Sequence, residues 1–267
     1  MADFDVMMAM LPPVQSASFA MLVTTAVAAP YAFCCFIYWY HFSARKSTPS
    51  LRKPDDKPLP EHHDWRSALF KPEGISAPVA YMVLGLTLSL VFPEQLGFLV
   101  PPSIKTLTFD VKPLVILLHF LVFDSIMWVI HYTQHSWRWL YYNTHAVHHT
   151  IHSPTMIVAL TGYLPDTCLL ILLPLHVTFL LLGNLGNLMS VFVFAVGALL
   201  HLHCIHSEFQ HPWDPFMRTV GIANTWDHHV HHLRPNRNLA HFFVFLDKAM
   251  GTYVDPLSLP NKLIISQ

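Results

Sequence analysis

Long apolar stretches broken by short polar ones dominate the chain. Crossing a bilayer as a helix takes about 20 mostly apolar residues. Residues 19–40, 77–92, 113–130, 167–182 and 185–204 approach or meet that length with little charge. The last two are separated only by Gly183-Asn184-Leu185-Gly186-Asn187, which predicts a helical hairpin. Pro30 is a candidate kink in the first run, and segment 43–64, polar with Pro49, Pro54, Pro58 and Pro60, reads as a linker. Basic residues set the orientation. Segment 41–76 carries Arg45, Lys46, Arg52, Lys53, Lys57, Arg66 and Lys71, whereas the N-terminal 18 residues carry none. The pattern therefore predicts an outside or lumenal N-terminus, a cytoplasmic 41–76, and a cytoplasmic position for the chain from His131 and from residue 205 onward. The fold class expected is an all-α integral membrane protein with four to five hydrophobic helices and a cytoplasmic helical cap.

Composition agrees with that reading. Of 267 residues, 53% are hydrophobic and only 12% charged, about half the charge of an ordinary soluble domain. The net charge of −1 leaves no basic footprint for nucleic acid. Cys34, Cys35, Cys168 and Cys204 all lie in apolar stretches and form no CxxC pair. Histidine is the anomaly, with 20 residues against 15 for lysine and arginine together.

Fifteen of those 20 histidines fall within 131–152 and 201–241. His131 and His135 are spaced i,i+4; His145, His148 and His149 are spaced i,i+3,i+4; and His228, His231 and His232 repeat that spacing. On a helix each set shares one face. Eight convergent imidazoles are enough for two metal ions. Isolated histidines such as His119, His176 and His241 read as core or interface residues. Asp124 lies two helical turns before His131. It reads either as an outer-layer acceptor for the free N–H of a ligand imidazole or as a polar residue satisfied otherwise. No HExxH, GxSxG, GxGxxG or P-loop pattern is present. Imidazole suits several transition metals equally, so the donor set alone names none. A second class of function, a histidine-rich membrane metal-binding or transport protein, would place its ligands near the bilayer midplane; here the boxes follow the apolar runs.

The three boxes, HYTQH at 131–135, HAVHH at 145–149 and HHVHH at 228–232, resemble those of the fatty acid hydroxylase/sterol desaturase superfamily. Flanking segments are similar too: Trp139-Leu140-Tyr141, His206-Ser207 followed by Pro212-Trp213-Asp214-Pro215, and Phe242-Phe243-Val244-Phe245-Leu246-Asp247-Lys248 with Gly251-Thr252-Tyr253. They look most like sphingoid-base C4-hydroxylases and sterol C4-methyl or C25 oxidases. The resemblance covers about 113–255. It divides the chain into N-terminal spans and linker (1–112), a catalytic domain (113–255) and a C-terminal tail (256–267).

The resemblance implies a multi-span endoplasmic-reticulum protein with a cytoplasmic dimetal site, normally two iron ions, which zinc can also occupy. It implies O2 as oxidant, electrons from NADPH through a reductase and cytochrome b5, and an apolar lipid as substrate. Carried over by position, the metal ligands are His131, His135, His145, His148, His149, His228, His231 and His232, with His206 as a ninth. The chain departs from the family pattern at Glu208-Phe209, at His229, at Leu164-Pro165-Asp166, which lacks a family histidine, and at His241, where a small residue or proline is usual.

Overall fold

The computed structural model describes residues 29, 32–46, 110–152, 154–182 and 185–259. Most of the 19–40 run and all of 77–92 lie outside the described residues. Among those described, the chain is helical throughout, with no strand and a single isolated bridge between Ile222 and Phe243. The helices are α1 (residues 32–44, closing in a π-turn at Tyr40–Ala44), α2 (Pro113–Ser136), α3 (Arg138–Leu140, continuing into a π-turn at Tyr141–His145), α4 (Leu164–Leu182), α5 (Leu188–Ile205), α6 (Asp214–Thr219), α7 (Thr225–Leu233) and α8 (Phe245–Met250).

Among the described residues, two helices are long and apolar enough to cross a bilayer: α2, with mean hydropathy 2.2 over its best window, and α4, with 1.8. α5 is apolar but shorter by the same measure. Each start has a local cause. Pro113 opens α2 at a position where its missing N–H costs nothing. The Asn187 side chain caps α5 by accepting from the backbone N–H of Ser190.

α2 is the central element and packs against both α4 and α5. Phe123, Met127, Phe194, Leu202 and Phe242 form the buried core between them. Phe120 meets Phe194 edge to face, ring centroids 4.9 Å apart. Gly197 allows that approach, because a Cβ there would stand 3.3 Å from the Phe120 ring. His119 is fully buried in this core and donates from Nδ1 to the Val115 carbonyl, as expected of an isolated core histidine. The C-terminal end of α2, the start of α4 and the C-terminal end of α5 meet at one end of the bundle. There α3, α7 and the 237–243 segment cover them.

Candidate metal centre

Each histidine box is placed by a different local device. His131 and His135 sit one turn apart on the last turns of α2, and their Nε2 atoms approach to 3.2 Å. Box two does not share one face of a regular α-helix, contrary to the expectation from its spacing. His145 ends a π-turn, and His148 and His149 lie on a separate 3-10 turn. Side chains redirect the backbone here. Thr144 donates to the Leu140 carbonyl and in turn accepts from Gln134 Nε2. Box three lies on α7, which starts in a capping box: the Asn224 side chain accepts from the N–H groups of Trp226 and Asp227, and Asp227 accepts from the Asn224 N–H. Asp227 also accepts from Tyr253 and, with burial as the largest cause, is pushed up to about 6. It is a capping residue of α7.

The nine histidines carried over from the sequence come together in two groups. His131, His135, His145, His149 and His231 form one; His148, His206, His228 and His232 form the other. Within each group the nearest ring nitrogens all lie within 4.8 Å of one another. Both HxxHH boxes are divided. His145 and His149 go to the first group and His148 to the second; His231 goes to the first and His228 with His232 to the second. The two groups are adjacent, with the rings of His149 and His232 5.0 Å apart.

Hydrogen bonds at Nδ1 decide which nitrogen of each ring is free. A carbonyl can only accept, so a ring nitrogen bonded to one carries the proton. His131 donates to the Leu239 carbonyl (2.8 Å), His148 to Thr161 (3.1 Å), His206 to Leu202 (2.6 Å) and His231 to Arg237 (2.9 Å). His145 donates to both oxygens of Asp166 at 3.0 Å. In their neutral forms these rings therefore turn a bare Nε2 lone pair inward. Burial, the largest influence, holds His145, His148, His206 and His231 below the usual histidine range and so favours the neutral form.

The consequence is a set of contacts that are not hydrogen bonds. His131 and His145 face each other Nε2 to Nε2 at 3.0 Å, and His148 and His206 at 3.3 Å, with no proton available between them. Such facing lone pairs repel in a dry site unless a cation lies between. Two imidazoles on one transition metal at about 2.1 Å would have their nitrogens ~3.0 Å apart at a right angle and ~3.4 Å apart at the tetrahedral angle. Five Nε2 separations across both groups, 3.0–3.3 Å, fall in that span, and that of His206 and His228, 2.8 Å, is slightly shorter. The donor set fits two divalent transition-metal ions.

Asp124 does not orient a ligand imidazole. Its carboxylate accepts from three successive backbone N–H groups, those of His241, Phe242 and Phe243, at 2.8–3.3 Å. The reason is steric and topological: the 239–243 segment crosses α2 at Asp124, and its N–H groups have no helical partner. Asp247 serves the same segment from the other side, accepting from Leu239 N, Ala240 N, Trp128 Nε1 and Thr252 Oγ1. The carboxylate that does hold a ring of the cluster is Asp166, at the start of α4. The sequence offered one signal for it, an acid at the mouth of an apolar run. Gly162 keeps its place open, since a Cβ there would lie 3.1 Å from Asp166 Oδ2.

His241 is a buried residue outside the ligand groups, as its isolated position in the sequence predicts. It is buried beside both groups, its ring 4.8 Å from that of His131 and 5.2 Å from that of His228, yet it belongs to neither group. A cavity of about 40 Å³ opens beside the centre. Met127, Leu170, Ile171 and Leu202 supply apolar wall, and His145, His148, His206 and His241 line its polar end.

Comparison with known proteins matches this architecture to a family. The fatty acid hydroxylase family profile covers residues 116–252. Among individual relatives, the alternative squalene epoxidase of Phaeodactylum tricornutum is 29% identical over 187 residues, 70% of this chain and 51% of that protein. Cholesterol 25-hydroxylase of Rattus norvegicus is 32% identical over 146 residues, 51% of this chain and 46% of that protein. Cholesterol 25-hydroxylase-like protein 1, member 2, of Danio rerio is 29% identical over 147 residues, 51% of this chain and 49% of that protein. The chain thus spans about half the length of the relatives it matches. No solved structure matches. The family match takes in all three histidine boxes, His206 and the 237–243 segment that holds two of the rings, and on that match the chain belongs to the fatty acid hydroxylase family.

Proposed function

We propose that this protein is a membrane-bound, O2-dependent oxygenase that hydroxylates or desaturates an unactivated C–H bond of a lipid. The observation that carries the proposal is the convergence of nine imidazoles into groups of five and four beside an apolar-walled cavity. The candidate substrates are sterols, sphingoid bases, fatty acyl chains and terpenoids. The names of the matched relatives, a squalene epoxidase and cholesterol 25-hydroxylases, favour the sterol and isoprenoid end of that range.

In this reading His131, His135, His145, His149 and His231 hold one iron ion and His148, His206, His228 and His232 the other. Two iron ions bound there supply O2 activation and the oxidising power to attack a C–H bond. The chain's own residues do the rest. The carbonyls of Leu239, Thr161, Leu202 and Arg237 and the Asp166 carboxylate fix ring tautomers and orientations, so no reorganisation is needed on metal binding. Met127, Leu170, Ile171 and Leu202 exclude water and present apolar surface to a hydrocarbon segment. The 113–255 region acts as the catalytic unit. Residues 1–112 contribute further spans toward a total of four to five, with the histidine-bearing end on the cytoplasmic side of the endoplasmic-reticulum membrane. A separate donor, a reductase with cytochrome b5 drawing on NADPH, delivers the electrons.

The test is an untargeted lipid comparison of cells expressing the wild type with cells expressing His148→Ala/His149→Ala, which removes one ring from each group. A lipid that gains one oxygen, or loses two hydrogens, only with the wild type supports the proposal and identifies the substrate. Equal lipid profiles, with both proteins in the membrane and the wild type loaded with iron, would reject it.

The orienting role of Asp166 makes a smaller prediction. Asp166→Ala frees the His145 ring and is expected to lower metal affinity of the first group by about 10–100-fold, the usual cost of losing such a partner. Chelator competition measures it. Wild-type affinity would mean that packing alone holds the ring.

A further inference from the structure

The start of α8 and the end of α6 lie beside the middle of α2, not beyond its end. Asp124 accepts from the N–H groups of His241, Phe242 and Phe243. Ala223 N donates to the Phe242 carbonyl, Val244 N donates to the Gly221 carbonyl, and Ile222 bridges Phe243. The turn after α6 is thereby tied to the start of α8 at the level of Asp124. A helical rise of about 1.5 Å per residue puts Asp124 about 18 Å and His131 about 28 Å along α2 from Lys112. Asp110 and Lys112 mark the polar end of the bundle; both are exposed, and their backbone groups bond Asn187 and Ser190 at the start of α5. The hydrocarbon core of a bilayer is about 30 Å thick. A core that begins at Lys112 therefore ends near His131, with Asp124 well inside it.

The side chains exposed at that depth are apolar. Phe216 and Val220, one turn apart, are 67% and 50% exposed, and Phe245 at the start of α8 is 46% exposed. Asp214 and Asp247 are buried, and Arg218 is paired with Asp255. Exposed bases stand higher. The Arg237 carbonyl accepts from His231, whose ring lies 4.6 Å from that of His131. The Arg237 N–H bonds the Arg234 carbonyl, and its guanidinium reaches the Gly251 carbonyl just past Lys248 on α8. These bases fall where the hydrocarbon ends, the level of lipid phosphates. Non-helical backbone at membrane depth is tolerated only when protein groups satisfy it. Asp124 takes three N–H groups of this segment, and Asp247 takes those of Leu239 and Ala240. Two buried carboxylates committed to one short segment are what a segment out of reach of water needs.

We propose that the face formed by Phe216, Val220 and Phe245 is sunk into the acyl-chain layer of the bilayer, with Arg234, Arg237 and Lys248 at the level of the lipid phosphates. The helices expected to form a cap are then in part an insertion into one leaflet, and the histidine centre sits at the hydrocarbon boundary. This rests on the membrane-bound reading above and adds a surface, outside the spans, that meets lipid.

The experiment uses the full chain in phosphatidylcholine nanodiscs, with Cys35→Ser and Cys168→Ser removing the two exposed thiols. Phe216→Cys, Phe245→Cys, Asn236→Cys and Leu117→Cys, each at an exposed position, then supply single sites for a nitrobenzoxadiazole label. Doxyl groups on the acyl chains quench a label in hydrocarbon, and iodide quenches one in water. Labels at Phe216 and Phe245 are expected to emit further to the blue than the label at Asn236. They are expected to lose most of their emission to the doxyl lipid and little to iodide, and the Asn236 label is expected to do the reverse. Iodide quenching at Phe216 or Phe245 as strong as at Asn236 would overturn the inference by placing the face in water. Protection from both quenchers would also overturn it, by showing that a second copy or another protein covers the face. Leu117, on α2, separates the two readings. Iodide quenching there would reject the membrane-spanning reading of α2 itself, whereas doxyl quenching at Leu117 with iodide quenching at Phe216 and Phe245 would reject this inference alone.

Discussion

Replacing His228 and His232 together with alanine is expected to leave one metal ion per chain where the proposed centre of the wild type would hold two. Those residues are half of the four-histidine group, whereas the other group keeps all five of its rings. The complementary pair, His135→Ala/His149→Ala, takes two rings from the first group and leaves the second whole, so it also retains one ion. Both variants are expected to lose oxidised product by more than about 100-fold, since losing direct ligands exceeds what losing an outer partner costs. Metal analysis on purified protein reads the stoichiometry, and circular dichroism confirms that the helices persist. Loss of both ions from each variant would show that the groups do not bind independently. Retention of two ions in either would contradict their assignment as ligands. The expectation is specific because neighbours in sequence part company: His231 serves one group while His232, the next residue, serves the other.

Asp124→Ala is expected to destabilise the protein by about 3 kcal/mol or more. Three backbone N–H groups lose their acceptor, and each buried orphan costs roughly 1–3 kcal/mol. The effect reaches the metal centre through the chain. Residues 241–243 are continuous with Leu239, whose carbonyl holds the His131 ring. Metal affinity is therefore expected to fall along with stability, although Asp124 touches no ligand ring among the contacts described. Asp124→Asn keeps an oxygen for two of the three N–H groups and is expected to cost less. Thermal midpoints in detergent, with metal and after chelation, test this. A wild-type midpoint for Asp124→Ala would mean that the 241–243 segment finds other acceptors.

How much of this was readable from sequence depends on the range of the interaction. Apolar runs of sufficient length mark α2 and α4 because burial in lipid or protein acts on each segment separately. The i,i+4 spacing of His131 and His135 sets two rings one helical turn apart, and the family's motifs name the remaining candidates. Box two shows where local rules stop. Its i,i+3,i+4 spacing reads as one helical face, but Gln134, a residue of α2, bonds Thr144 and the backbone widens into a π-turn. The spacing was preserved and the face was lost. Asp124 shows the same limit. An acid inside an apolar run must have a partner, and sequence makes His131 the nearest candidate. The acceptor's true partners lie 117–119 residues away.

By itself, then, the sequence determined the helical class, the apolar helices and the eight histidines of the three boxes, because each rests on periodicity or spacing within a few turns; His206 was added by the family resemblance alone. Only the tertiary structure decided the division of those histidines into five and four, the choice of Asp166 and four backbone carbonyls to orient rings, and the placement of His241 at the cavity. Each of those depends on contacts between segments far apart in the chain. A local pattern can bring residues to one face of a helix, but which nitrogen faces which is set by packing α2, α5, α7 and the 237–243 segment around a single buried point.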